Sequence, residues 1–349
     1  MRRLALILAG AAALAAVASG GASAADGQAV FALHPEHYDP ALQVSQSYFV
    51  TQARAGTSFT NAVRVVNTGT RAGTVFLYPV DATTGKTSGA VYLDRAKPRR
   101  SVGSWVTLGA RSVKLAPGES VVVLVTVHVP ADATPGDHLG GIVGENAALT
   151  QGSGKGALQI RVRHLTIVAV EVQVPGTAAA VMNVTRAYAA GLHGYQYVDL
   201  RLTSPGALTT KPHGRLAVTA SDGKLVASRP FTLDTFLPGT AIDYPVLLPG
   251  KVLAPGDYTA RVELTYGSSA LGYRRAAGPE QTIDRTFPFT VSKGQYTTVF
   301  GSAPPVKAPA QAAGTSSGGM SLFLIAGIVV GFLALAIVLV AALRKWSVR

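Results

Sequence analysis

Apolar residues in this chain alternate strictly with others over long stretches. Val121, Val123, Val125, Val127 and Val129 occupy every second position. Side chains of a strand point to opposite faces in turn, so this row is one buried face of a β-strand. Ile160, Val162, Val168, Val170, Val172 and Val174 keep the same parity along what reads as one longer strand. Tyr258, Ala260, Val262, Leu264 and Tyr266 alternate with Thr259, Arg261, Glu263 and Thr265. Ile283, Phe287, Phe289 and Val291 form a further face, and Pro288 within it marks an edge strand. Turn signals punctuate these rows: Asn67-Thr68-Gly69, Thr84-Gly85, Asp222-Gly223, and Pro-Gly beginning at 117, 135, 175, 205, 238, 249 and 255. Many short strands with frequent turns predict an all-β chain. The expected architecture is two immunoglobulin-like β-sandwich domains in tandem, residues 25–174 and 175–291. There is no cysteine, so both sandwiches must hold by packing and strand pairing alone.

A faint repeat supports the tandem. Val80-x-Ala82-x-x-Gly85-Lys86 returns as Val218-x-Ala220-x-x-Gly223-Lys224, and Leu115-Ala116-Pro117-Gly118-Glu119 as Leu253-Ala254-Pro255-Gly256-Asp257. Both pairs are offset by 138 positions, which predicts two related sandwiches.

The ends read differently. Arg2 and Arg3 precede an apolar run from Leu4 to Val17, and Ala22-Ser23-Ala24 has the form of a signal-peptidase site, so residues 1–24 read as a signal peptide. Met320 to Leu343 contains no charged residue. At ~1.5 Å per residue it reaches ~36 Å, enough for a single transmembrane helix across a ~30 Å core. Arg344, Lys345 and Arg349 follow as a basic cytoplasmic tail, residues 344–349. Gly327 and Gly331 have the spacing that packs two membrane helices closely. Residues 292–319, rich in Ser, Gly, Ala and Pro, read as a linker. The expected localisation is therefore the cell membrane, single-pass, with the sandwiches outside it in the wall zone and the lipid bilayer as a partner of the C-terminal helix.

Charge then points to partners. Of 31 basic residues, five lie in the two ends, which leaves 26 against 18 acidic, a net +8 on the exported part. An exported basic protein meets wall polymers and headgroups rather than nucleic acid. Arg95, Lys97, Arg99 and Arg100 cluster around Pro98, and Arg161 with Arg163 would extend that surface along the outer face of the long strand. Gly140-Gly141, entering a strand, reads either as a bulge or as a place where a ligand reaches the backbone.

Catalytic signals are weak. Gly85-Lys86-Thr87 ends like a phosphate-binding loop, but Val80 stands where that motif needs glycine. His34-Pro35-Glu36-His37, with Asp39, could ligate zinc only if the segment curled. His128 reads as a surface residue and His164 as an interior one. No catalytic residue, metal or cofactor is assigned.

Specific residues also carry a family likeness. Phe31-Ala32-Leu33-His34-Pro35, Tyr48-Phe49, Val63-Arg64-Val65-Val66-Asn67-Thr68-Gly69, Asp81-Ala82-Thr83-Thr84-Gly85, Leu115-Ala116-Pro117-Gly118-Glu119 and Pro135-Gly136-Asp137-His138-Leu139-Gly140-Gly141-Ile142 follow one another in the first half. This order resembles the peptidoglycan-binding domain of the WxL-interacting proteins of Gram-positive bacteria. Leu233-Asp234-Thr235-Phe236-Leu237-Pro238-Gly239-Thr240 in the second half resembles that family's second domain. The resemblance implies a non-enzymatic surface protein that binds peptidoglycan or anionic wall polymer and another cell-surface protein. Trp105-Val106-Thr107-Leu108 is not the Trp-x-Leu motif of that family's partners. A strand-donating or strand-accepting assembly chaperone for exported subunits is the alternative, and a wall-modifying enzyme a third reading.

Overall fold

The computed structural model describes residues 27–87, 89–152, 160–192, 194–248, 253–269 and 278–301. The signal peptide, most of the linker, the segment 320–343 with Gly327 and Gly331, and the basic tail lie outside the described residues.

The first sandwich begins with β1 (Phe31–Pro35), β2 (Phe49–Gln52), β3 (Ser58–Asn67), β4 (Gly73–Gly85), β5 (Gly89–Tyr92) and a one-turn helix α1 (Val102–Trp105). It continues with β6 (Val106–Leu108), β7 (Ser112–Leu115), β8 (Ser120–His128), β9 (Gly136–Asn146), β10 (Thr150–Gly152), β11 (Ile160–Val162) and β12 (Leu165–Val174). One sheet has the order β1-β3-β8-β6; the other runs β2-β12-β9-β4-β5, with β7 also on β4. The second sandwich comprises β13 (Asn183–Leu192), β14 (Tyr195–Thr203), β15 (His213–Ala220), β16 (Leu225–Thr232), β17 (Ala241–Leu247), β18 (Gly256–Tyr266) and β19 (Gln281–Val291). Its sheets are β13-β14-β17 and β16-β15-β18-β19. The chain is all-β and immunoglobulin-like, as the alternation predicts.

Each pair of sheets encloses its own core. In the first, Val63, Val65, Val75, Val102, Ile142 and Val168 are fully buried; in the second, Leu200, Leu202, Leu216, Phe236, Val262 and Leu264 are. Burying each such side chain contributes roughly 1.5–3 kcal/mol. The valine row of β8 and the residue after it is oriented as read: Val123, Val125, Val127 and Val129 point inward, with Val121 packed at the margin. β19 is an edge strand, and Pro288 sits on it opposite Thr259. A proline there removes no ladder bond from an interior strand.

The pairing also corrects the repeat. Strand for strand, β3, β4, β5, β8, β9 and β12 correspond to β14, β15, β16, β17, β18 and β19. Val80 and Val218 lie in matching strands β4 and β15. Leu115–Glu119 does not match Leu253–Asp257, because it leads into β8, whereas Leu253–Asp257 leads into β18, the counterpart of β9. The matching turn is Pro135-Gly136-Asp137 against Pro255-Gly256-Asp257, offset by 120, with φ of 135° at Gly136 and 158° at Gly256. The added segment that carries α1, β6 and β7 exists in the first sandwich only and shortens the offset.

Two local expectations change. The long strand read over Ile160–Val174 breaks at Arg163-His164 into β11 and β12. His164 is therefore exposed rather than interior, and its carbonyl accepts from Asn146 N–H. The start of the linker is helical: α2 (Lys293–Phe300) is closed by a reciprocal cap, in which Ser292 Oγ accepts from Gln295 N–H and Gln295 Oε1 accepts from Ser292 N–H.

Among the described residues no helix is long and apolar enough to cross a membrane. The expectation of a single-pass membrane anchor is corrected on that finding.

Candidate functional site

The basic residues singled out in the sequence separate into two groups. After β5 the chain crosses the outer face of the β4–β9–β12 sheet. There the Arg95 guanidinium lies 4.9 Å from the ring centre of Tyr78 and 5.7 Å from that of Phe76. Arg163 Nε donates to Glu145 Oε1 at 2.8 Å, and its Nη1 donates to Asp94 Oδ2 at 3.3 Å. Tyr78 Oη donates to the other Glu145 oxygen at 2.8 Å. Arg163 thus ties the crossing segment, through Asp94, to β9, through Glu145. The hydrogen bond from Arg163 holds the Glu145 carboxyl below its ordinary value. Asp94 is held low by the Ala96 N–H and then by Arg163. Burial, reinforced by Glu145, pushes the Tyr78 hydroxyl up to about 12. Arg163 sits in the connection between β11 and β12, and Arg161 in β11, so neither extends a long strand's outer face.

Lys97, Arg99 and Arg100 form the second group. All three are exposed, and none pairs with a carboxylate among the described residues. The backbone at Arg100 is fixed by buried Asp81, whose carboxylate accepts from the N–H groups of Arg100, Ser101 and Gly103, and Lys97 N–H donates to the Asp94 carbonyl. Several backbone donors on one carboxylate make a firm turn and leave the cations facing solvent.

Gly140 and Gly141 are packing positions. A Cβ on Gly140 would stand 2.7 Å from the Val80 carbonyl oxygen and 2.9 Å from Val102 Cβ. One on Gly141 would stand 2.8 Å from the Tyr92 ring. Tyr92 and Val102 fill the space that a ligand would need. Of the zinc-like segment, Glu36 is committed to Arg64, with Arg64 Nε donating to Oε2 at 2.7 Å. His128 is exposed and shares a hydrogen bond with Ser58 Oγ. Among the described residues no group of three His, Asp or Glu side chains could hold a metal.

Sequence patterns do not reveal the joint between the sandwiches. Asp137 N–H donates to the Ala207 carbonyl, while its buried carboxylate accepts from Thr209 N–H at 2.9 Å and from Gln173 Nε2 at 3.3 Å. On the other side, Leu237 N–H donates to Thr84 Oγ1 at 2.8 Å, and Thr84 Oγ1 lies 2.6 Å from Thr240 Oγ1. Gly136 is required where it stands, since a Cβ would run into the Ala207 carbonyl oxygen. Beside the joint opens a groove of about 680 Å³, lined by Leu42, Gln52, Gln173, Val174, Pro175 and Leu208 among others.

No family model and no curated protein matches the chain. Solved structures similar to it include the class 5 fimbriae chaperone CfaA, at 11% identity and a TM-score of 0.36, covering 72% of this chain and 98% of that one. The E. coli chaperone DraB is 14% identical with a TM-score of 0.31, covering 74% and 97%. The Salmonella enterica SafA pilin in complex with the SafB chaperone gives 12% identity and a TM-score of 0.31, covering 75% and 96%.

Proposed function

We propose that the chain is a non-enzymatic binding protein that holds a partner polypeptide at the joint of its two sandwiches, in the role of an assembly chaperone. The groove at the joint carries this reading. Its lining combines aliphatic side chains, Leu42, Val174 and Leu208, with the amides of Gln52 and Gln173. An extended polypeptide offers both apolar side chains and backbone amides, which such a lining satisfies together. Asp137, bonded to Thr209 N–H and to the Ala207 carbonyl beside Gly136 and Leu208, fixes the walls, so little ordering cost falls on binding. The test places a photo-crosslinking residue at Leu208 in the full chain, in the producing cell. Adducts to one extended segment of a partner protein are expected, reduced at least ten-fold when Ala178→Trp fills the groove. Adducts insensitive to Ala178→Trp would overturn the reading.

A second reading rests on Lys97, Arg99 and Arg100, three exposed cations on a firmly held turn. They suit repeated phosphate or carboxylate groups, as in an anionic wall polymer. Membership of the WxL-interacting family belongs to this second reading. Replacing the three by serine lowers retention on purified wall sacculi and flattens its salt dependence if it holds; unchanged retention discards it.

A further inference from the structure

β8 is paired with β3 along almost its whole length, but on its other side β6 covers only Val125–Val127, and Gly109 N–H bonds the Leu124 carbonyl. Beyond Gly109 the chain leaves this sheet: Leu77 N–H donates to the Arg111 carbonyl, and β7 joins β4 in the other sheet. Among the described residues no strand pairs with Ser120–Val123 on that side. Backbone groups point alternately to the two sides of an antiparallel strand. The Glu119 carbonyl faces the β3 side and the Leu124 carbonyl faces Gly109, so the N–H and C=O of Val122 face the open edge.

Natural sheets guard such edges with proline, charge or a bulge, because an open edge invites a further strand. The edge strands of the second sandwich, and β1 of the first, are guarded. β16 carries Arg229 and Pro230, β17 carries Asp243 and Pro245, and β19 carries Asp284, Arg285 and Pro288. β13 has a register irregularity beside Arg186, and β1 ends on Pro35. Ser120–Leu124 has no proline and no charge, and it leaves Val122 44% and Leu124 56% exposed on the outer face.

We infer that this open edge of β8 is a strand-addition site for an extended partner segment with aliphatic or β-branched residues at alternate positions and an acidic residue at one end. Val122 supplies the backbone donor and acceptor, and Val122 with Leu124 supplies the apolar contacts. The acidic end follows from Arg111, which stands two residues past Gly109, where the open stretch stops. Arg111 is exposed and pairs with no carboxylate among the described residues. A second copy of this chain fits less well, since two copies repel, each with a net +8 outside its two ends.

The inference rests on the reading that the chain binds partner polypeptides, but it uses a different surface from the joint groove. The probe is a synthetic peptide, Glu-Val-Thr-Val-Thr-Val-Thr, added in excess to the full-length chain. Amide exchange at Val122 is expected to slow at least ten-fold. The slowing is expected to vanish in Val122→Lys, which keeps the strand but charges the edge, and to weaken when the peptide's glutamate is lysine. Ala178→Trp, which fills the groove, leaves it unchanged, so the two sites fail or succeed separately. Unchanged exchange at Val122, equal slowing in Val122→Lys, or protection that grows with chain concentration without peptide would each overturn the inference.

Discussion

At the scale of single residues, the outer face of the β4–β9–β12 sheet turns on Arg163. Its guanidinium spans Glu145 and Asp94 and so fastens the segment after β5 across the sheet, with Arg95 laid over Tyr78 and Phe76. These partners are well exposed at Arg163 and Asp94, so each ion pair alone is weak. Their joint geometry still gives a definite pH dependence. Both carboxyls are held below their ordinary values of 4.5 and 3.8 in the folded chain. A depressed folded value contributes stability above the unfolded value and loses it as pH falls through the folded one. The clasp is therefore intact at neutral pH and is released only as the pH falls below the ordinary carboxylate range. The Arg163 Nε–H resonance is expected to stay sharp and slowly exchanging at neutral pH and to broaden once the pH falls through the lowered carboxyl values. Glu145→Gln shows the broadened state throughout. A resonance indifferent to acid or to Glu145→Gln would show that the clasp does not form.

At the scale of elements, period two located most strands because burial enforces it: one face of β8, β18 and β19 must meet the core and the other must not. Buried turn chemistry was legible too. Asn67, read as a turn signal, spans four backbone groups, accepting from Val30 and Gly69 N–H and donating to the Arg71 and Leu115 carbonyls. Parity says nothing of which strand lies beside which, and there the reading stopped. The break at Arg163-His164 hid inside one run of apolar residues, because β11 and β12 happen to share parity across it. Gly140 and Gly141 read as a bulge or as backbone open to a ligand because their covers, Val102 and Tyr92, are distant in sequence. The basic cluster was visible as composition, but its division depended on Asp81 and Glu145, carboxylates that only the folded sheet brings near. The unguarded edge of β8 was likewise hidden: its valines signalled a strand, and only the departure of the chain at Arg111 opens its side.

At the scale of the whole molecule, the two cores share no buried cluster, so any cooperation between them must pass through the joint. Separate cores with a loose connection melt independently. Here Asp137 links the start of β9 to residues 207–209, and Thr84 links the end of β4 to residues 237–240. These bonds are buried or nearly so, which leaves each donor costly to abandon. Asp137→Ala removes the acceptor for Thr209 N–H and Gln173 Nε2 and is expected to cost about 1–3 kcal/mol. The larger effect falls on coupling. Calorimetry of the intact chain is expected to show the sandwiches melting together, and Asp137→Ala to split the transition in two. Thr84→Val, which strips the acceptor from Leu237 N–H, acts in the same direction, and the double variant exceeds the sum if both contacts hold one joint. Two transitions already present in the unaltered chain, or one transition surviving in the double variant, would show that the joint does not couple the sandwiches. A partner held in the groove would then meet two independent walls rather than one fixed surface.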